Sequence, residues 1–126
     1  MKRPSEGSRS ARVGERIRQE LMEMLLRGAI KDPAVEGVVV HSVDVSGDLR
    51  LARVFVRHTM PGSDARTQKR VLSGLTRASG FIRREVGARL SIRYTPELSF
   101  FWDDTAERVN RVEAILAEIR NEDEEE

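Results

Sequence analysis

One apolar face runs without interruption through a segment that contains a glycine. Five apolar residues follow one another at spacings of 4, 3, 4 and 4: Val71, Leu75, Ala78, Ile82 and Val86. This is the period of an α-helix, and a loop would break its phase. Gly80 lies within the stretch, although glycine costs about 1 kcal/mol relative to alanine in a helix interior. The pattern predicts two helices that meet at a kink at residues 78–80 and pack on the same surface.

An amphipathic helix and a β-hairpin precede this segment. The first helix is predicted to begin at Ser8 or Ser10, either of which can cap it, and to end at Gly28. Its apolar residues recur at helical spacing: Val13, Ile17, Leu21, Met24 and Leu25. The β-branched residues of 38–45 and the alternating residues of 51–57 predict two strands joined by a short turn.

A third strand and a last helix complete the predicted order. Apolar residues alternate from Leu90 to Tyr94 and again from Leu98 to Trp102, which predicts a strand bent at Pro96. Asp104 or Thr105 is expected to cap the final helix. Its apolar residues share one side: Val109, Val112, Ile115, Leu116 and Ile119. The order predicts an α+β fold with helices packed on one face of a three-stranded sheet.

Charge is divided unevenly along the chain. The net charge is only +1, but residues 1–93 carry 19 Lys and Arg against 10 Asp and Glu, and residues 94–126 carry 3 against 11. Of the 22 cationic side chains 19 are Arg, whose planar guanidinium can bind a phosphate through two hydrogen bonds. A GC-rich genome also favours Arg, so the segregation of charge is the stronger indication of a surface for a polyanion.

The length of 126 residues predicts one domain between two irregular ends. Residues 1–8 are predicted to be disordered, residues 9–120 to form the domain, and residues 121–126 to form an acidic disordered tail. The absence of cysteine excludes a disulfide framework and a thiolate metal site. The N-terminus lacks the apolar core of a signal peptide, and no apolar run is long enough to cross a bilayer. We expect a cytoplasmic monomer that contacts no membrane.

The candidate RNA-binding residues surround the predicted kink, where a small residue lets an RNA backbone approach and cations supply charge. They are Lys69, Arg70, Arg77, Ser79, Gly80, Arg83 and Arg84. Further candidates lie on the first helix and the second strand: Arg9, Arg12, Arg16, Arg53 and Arg57. Crowding between the helices and the sheet is the alternative reason for the small residues at 78 and 80. Phe55 could stack on bases, although half-burial by a neighbouring helix, for example the C-terminal one, is the favoured interpretation.

The sequence contains no recognisable catalytic set, and we expect neither a cofactor nor a metal. His41 and His58 lie on strands without the repeated spacing of metal ligands. Asp103, Asp104 and Glu107 could hold Mg²⁺, but a strand end followed by a helix cap explains them better. A metal-dependent hydrolase that uses these three carboxylates and an adaptor that works through its acidic tail remain alternatives to a non-enzymatic RNA-binding protein.

Three segments carry a family resemblance: RSARVGERIRQEL, DLRLARVFV and RASGFIRREVGARLSIRYTPELSFFWDDT. They resemble the ribosome-binding factor A family over most of the chain, from Arg9 to Ile119. The resemblance implies a type II KH-like fold in which an Ala-x-Gly kink, here at residues 78–80, replaces the GXXG loop of KH domains. The sequence departs from the family pattern at Ala34, where Arg is common, and at Thr105, where Ser is common.

The resemblance also implies a function. Members of the family bind the free small (30S) ribosomal subunit, assist its late maturation and the processing of its 16S rRNA, leave before translation, and are associated with growth in the cold. The alternative is a general KH-like RNA-binding protein or RNA chaperone without a ribosomal role. Periodicity and charge by themselves indicate only a basic, KH-like domain.

Overall fold

A computed structural model describes residues 8–60 and 64–125. Its elements are, in chain order, α1 (Arg9–Leu26), a short 3-10 helix (Pro33–Val35), β1 (Val38–Val45), β2 (Leu51–His58), α2 (Ala65–Arg77), α3 (Ser79–Leu90), β3 (Glu97–Trp102) and α4 (Thr105–Glu125). The sheet order is β1-β2-β3, with β1 antiparallel and β3 parallel to β2. Because parallel strands need a crossover, α2 and α3 together connect β2 to β3. The α+β prediction is confirmed.

The core lies between one face of the sheet and the helices α1, α2 and α3. From the sheet, Val54 and Val56 are fully buried. From the helices, the largest fully buried side chains are Ile17, Leu21, Met24, Leu75 and Ile82. The first helix lies against β1, where Gly14 permits close contact, because a Cβ at this position would lie 2.7 Å from the backbone oxygen of Val43.

The two central helices meet at Ala78. This residue has φ −86° and ψ 0°, and its N–H donates to the carbonyl of Gly74 while its own carbonyl accepts from the N–H of Ile82. Val71 on α2 and Val86 on α3 are both almost fully buried. The predicted pair of helices, joined by a kink and packed on one surface, is therefore confirmed.

The predicted ends of α1 are confirmed as well. Ser8, the last residue of the segment predicted to be disordered, caps α1 by accepting from the N–H of Ala11. Gly28 follows the C-terminal cap and has φ +70°, a left-handed conformation that glycine adopts without strain. The prediction for residues 1–7 lies outside the described residues.

The predicted start of the third strand is wrong. The alternation from Leu90 to Tyr94 suggested a strand, but α3 continues through Leu90 and ends at Ser91, whose φ of +53° is left-handed. The strand begins only at Glu97, after the buried Pro96. Leu90 also lies four residues after the buried Val86, so the helix gains a further apolar contact with the core by including it.

The predicted irregular tail is wrong over most of its length. The helix α4 continues to Glu125, so that residues 121–125 are helical. Glutamate has a high helix propensity, and extension of an existing helix needs no new nucleation. Composition alone did not reveal this continuation.

The opposite face of the sheet is not covered by α1, α2 or α3. Phe55 lies there and stacks on Phe101, with 5.6 Å between the ring centroids and 28° between the planes. Phe55 is half-buried by this neighbouring ring. The predicted half-burial of Phe55 is confirmed, with the ring of Phe101 on β3 against it.

Candidate nucleic-acid interface

The backbone at the junction of α2 and α3 is open to solvent. Gly80 is exposed, and a Cβ at this position would have only the Arg84 Nη1 atom, at 3.6 Å, within 4 Å. Crowding therefore does not explain the glycine at position 80. It does apply to Ala78, which is half-buried and packs against the core. A ligand could approach the backbone at Gly80 without displacing any part of the fold.

Arg77, the last residue of α2, forms an ion pair with the loop that follows α1. Its Nη2 atom lies 2.9 Å from the Asp32 Oδ2 atom, and 63% of its side chain stays exposed. Asp32 accepts a hydrogen bond from the N–H of Ala34, and this is the main reason that its pKa lies below the ordinary value. The hydrogen bond from Arg77 is the second reason. Asp32 thus stays ionised at neutral pH and orients Arg77 at the junction.

Two clefts meet at Arg77. One, of about 380 Å³, opens between the junction and the loop after α1; it is lined by Ala29, Ile30, Lys31, Asp32, Arg77, Ala78 and Phe81. The other, of about 510 Å³, runs along α2; it is lined by Ala65, Gln68, Lys69, Leu72, Ser73, Thr76 and Arg77. Both combine cationic and polar groups with apolar surface, which suits an RNA strand that offers phosphates and exposed bases.

The two arginines of α3 lie in different environments. Arg83 donates from Nε and Nη2 to the carbonyl of Thr95, at 3.1 and 2.8 Å, and so fixes the loop between α3 and β3. Arg84 is exposed, and its Nη1 atom lies beside Gly80. The position of Arg84 suits a phosphate contact at the junction, whereas two N–H groups of Arg83 are already engaged.

The predicted binding residues occupy three separate surfaces. The junction surface carries Lys69, Arg70, Arg77, Ser79, Gly80, Arg83 and Arg84. Arg9, Arg12 and Arg16 are exposed on α1. Arg53 and Arg57 lie on the uncovered face of the sheet, where the Arg57 Nη2 atom is 2.7 Å from the His41 Nδ1 atom. The structure does not bring the sheet arginines together with the junction.

Two of the three carboxylates predicted at the start of α4 are engaged in local contacts, and the side chain of the third, Glu107, lies outside the described residues. Asp103 is buried and accepts from the N–H and the hydroxyl of Thr105. Burial is the largest single influence and acts to raise the pKa of Asp103, but these hydrogen bonds and the nearby His41 and Arg57 together outweigh it, so the pKa is lowered. Asp104 pairs with Arg108 at 2.8 Å. Among the side chains that the structure describes, no three carboxylate or imidazole groups are placed together to hold a metal ion.

Sequence reasoning missed the residues that shape the clefts. Lys31 and Phe81 line the cleft beside the junction, and Gln68 and Thr76 line the cleft along α2. Helical spacing was the available signal for Thr76, since it lies seven residues after Lys69 and therefore on the same face. Lys31 gave no such signal, because its place depends on how the loop after α1 folds.

A family model described as ribosome-binding factor A matches residues 9–116. The chain belongs to the ribosome-binding factor A family. A ribosome-binding factor A from Gloeobacter violaceus is 46% identical over 118 residues, which cover 92% of this chain and 89% of the relative. Another, from Brevibacillus brevis, is 44% identical over 117 residues, covering 93% of each chain.

Solved structures of ribosome-binding factor A proteins share the fold. A solution NMR structure of a candidate member from Thermotoga maritima has a TM-score of 0.63 at 27% identity, over 80% of this chain and 91% of that one. A homology model of the Thermus thermophilus factor, fitted into a cryo-EM map of a 30S–RbfA complex, has a TM-score of 0.59 at 23% identity, over 75% of this chain and 94% of that one. Among the described residues of this family member, no helix has the length and apolarity of a membrane span.

Proposed function

We propose that this protein binds the small (30S) ribosomal subunit through its 16S rRNA and assists late maturation of the subunit and processing of that RNA. Family membership supports the partner, since a related factor has been fitted into a map of a 30S complex. The observation that carries the proposal is the exposed Gly80, with open space in front of its backbone, between Arg77 and Arg84.

The chemistry of the junction supports RNA as the direct ligand. Glycine at position 80 leaves room for a ribose-phosphate chain, and the exposed guanidiniums of Arg77 and Arg84 can each bind a phosphate. The cleft beside the junction adds Lys31 and the ring of Phe81. A KH-like mode of binding, in which a strand of unpaired RNA lies across the junction of two helices, fits this arrangement.

We further propose that the protein acts by binding and not by catalysis. Of the three carboxylates that the hydrolase alternative requires, Asp103 accepts from Thr105 through Oδ1 and Asp104 pairs with Arg108, while the side chain of Glu107 lies outside the described residues. The protein would act as a cytoplasmic monomer that holds an immature rRNA conformation on free subunits and leaves before translation. Such a role accords with the described part of the surface, which offers charge and shape but no poised acid–base pair.

The proposal is tested by binding of the full chain to purified 30S subunits at several salt concentrations. Arg77→Gln combined with Arg84→Gln is expected to weaken binding and to reduce the slope of log affinity against log salt by about 1.5, as the loss of two phosphate contacts requires. Arg111→Gln combined with Arg120→Gln removes the same charge from α4 and serves as the matched control. Equal effects of the two pairs would contradict an interface at the junction.

The role in maturation is tested in cells that lack the endogenous protein. The wild-type chain and the α4 control pair are expected to restore mature 16S rRNA and growth in the cold, whereas the junction pair is expected to leave precursor RNA. If the purified protein bound unrelated structured RNA as tightly as 30S subunits, a general RNA chaperone would replace the proposed function.

A further inference from the structure

The loop between α3 and β3 exposes an aromatic ring that no other part of the described chain covers. Tyr94 is 75% exposed. The other aromatic side chains are either packed against the core or stacked on each other: Phe81, Phe100 and Trp102 in the first group, Phe55 and Phe101 in the second. An exposed aromatic residue is unremarkable by itself, so the surroundings of Tyr94 decide its meaning.

The loop that carries Tyr94 is anchored on both sides of the ring. On one side, Ile92 is partly buried against the core. On the other side, Arg83 donates two hydrogen bonds to the carbonyl of Thr95, and Pro96 is fully buried. The ring is therefore presented to solvent by a fixed backbone, which reduces the entropy lost when a ligand binds.

One cation contacts the exposed ring, and a second cationic residue lies at the end of the same loop. The guanidinium carbon of Arg93 lies 5.4 Å from the ring centroid of Tyr94, within the range of a cation–π contact. The carbonyl of Arg50 accepts from the N–H of Glu97, which brings the exposed Arg50 to the end of the same loop. Arg83 connects this corner to α3 and hence to the junction surface.

We propose that Tyr94 and Arg93 form a stacking site for one unpaired RNA base. This inference rests on the proposed function and extends it, because the site lies on the loop that follows α3 and not at the junction itself. The open face of the ring supplies the stacking surface, and the guanidiniums of Arg93 and Arg50 neutralise the neighbouring phosphates. Stacking on an aromatic ring tolerates any base, so the site selects unpaired RNA and not a particular sequence.

The chain contains a single tyrosine, so selective ring labelling gives one set of NMR signals that belongs to Tyr94. Titration of the labelled full chain with a single-stranded 12-nucleotide RNA is expected to move these signals upfield, through the ring current of a stacked base. The same RNA annealed to its complement should leave them in place. Unchanged Tyr94 signals at a single-strand concentration that saturates the protein would overturn the stacking site.

Binding to purified 30S subunits provides the second readout. Tyr94→Ala is expected to weaken binding about tenfold, the usual loss for one stacked base, and Tyr94→Phe should bind as the wild type does. Wild-type affinity of Tyr94→Ala, together with weak binding of the Arg77 and Arg84 pair, would overturn the stacking site and leave the proposed function standing. Weak binding by the wild-type chain itself would reject the proposed function instead.

A protein neighbour on the subunit is the competing occupant of this loop. In that case Tyr94→Ala would weaken binding to the whole subunit, while the single-stranded RNA would leave the tyrosine signals unchanged. Ultraviolet cross-linking of the wild-type complex separates the two, since a stacked base is expected to yield an RNA adduct on Tyr94. A peptide adduct at that residue would overturn the proposal.

Discussion

The helices α1 and α4 carry similar apolar stripes but bury them very differently. On α1, Ile17, Leu21 and Met24 are completely buried. On α4, Leu116 is 52% exposed and Ile119 is 49% exposed. The spacing of apolar residues predicted both helices correctly. Spacing alone did not show which element α1 packs against. Nor did it show that α4 lacks close packing within the described part of the chain.

The difference arises where each helix meets the sheet. The helix α1 lies flat on β1 because Gly14 has no side chain to hold it away from Val43. The helix α4 leaves the end of β3, where the N–H of Asp103 still donates to the carbonyl of Val56 and its side chain is committed to Thr105. One helix is fixed along its length and the other through its first turn.

The largest predicted effect sharpens this contrast. Leu21→Ala is expected to lower the free energy of unfolding by about 2–5 kcal/mol, because it removes buried methyl groups and leaves a cavity that the core only partly closes. The measurement is urea unfolding followed through the fluorescence of the single tryptophan, Trp102. A loss below about 1 kcal/mol would mean that α1 contributes far less to the core than its burial indicates.

Two of the helix glycines, Gly14 and Gly80, are expected to respond in opposite directions to substitution by alanine. Gly14→Ala should destabilise the fold by about 1–3 kcal/mol, since its Cβ would collide with the backbone oxygen of Val43. Gly80→Ala meets only the flexible end of Arg84, so it should be neutral or stabilising by up to about 1 kcal/mol. Thermal unfolding of both variants provides the comparison.

Binding assays complete the test of Gly80. If its backbone is approached by RNA, Gly80→Ala is expected to weaken binding to 30S subunits while the protein stays as stable as the wild type. Wild-type affinity in this variant would remove the close backbone approach from the proposed interface. A destabilised variant would show instead that packing at the junction is tighter than the structure indicates.

The core was predictable from sequence because local spacing encodes it. The apolar phase from Val71 to Val86 identified both central helices, and Gly28 marked the end of α1. Spacing was ambiguous at Leu90, which suits both a helix that contains Val86 and a strand that contains Ile92. The contact of Leu90 with the core favours the helix over the strand. A tertiary contact of this kind is not visible in a short window of sequence.

The candidate site was predictable only as a set of residue types. Arginines and a glycine pointed to the junction, and the alternation along β2 already assigned Arg53 to the face of the sheet opposite the core, but sequence could not show how far apart these cations lie. Nor could it show that Arg83 fixes a loop, because Thr95 is twelve residues away. The tertiary fold sorted the cations into separate surfaces. Residues such as Lys31 lie at the candidate site only because of the tertiary fold, and no sequence pattern indicated them.

A smaller effect is expected at low pH, where the N-terminal turns of α1 and α4 should differ in stability. Ser8 caps α1 with a hydroxyl that does not titrate, whereas Asp103 holds the start of α4 with a carboxylate whose pKa is lowered by the fold. A lowered folded pKa means that the stabilisation is complete above the unfolded value and is lost as the pH falls through the folded value.

Below about pH 4, the ordinary value for Asp, the first turn of α4 is therefore expected to fray before α1 does. Amide hydrogen exchange at Thr105 and Ala11 measures this directly. Asp103→Asn should fray the first turn of α4 at neutral pH and abolish its dependence on acid in this range. Equal acid sensitivity at the two amides would contradict the role given to Asp103.

The smallest effect is expected on α4 itself. Leu116→Ala makes the same chemical change as Leu21→Ala, but at a side chain that already contacts water, so the free energy of unfolding should change by no more than about 0.5 kcal/mol. Urea unfolding of the dilute, full-length protein is the measurement. The two substitutions differ only in how deeply the leucine is buried. The ratio of the two losses in unfolding free energy therefore isolates the stabilisation that α1 gains by packing on the sheet. A loss at Leu116 comparable to that at Leu21 would show that the apolar stripe of α4 is covered in solution, and the contrast between the two helices would no longer hold.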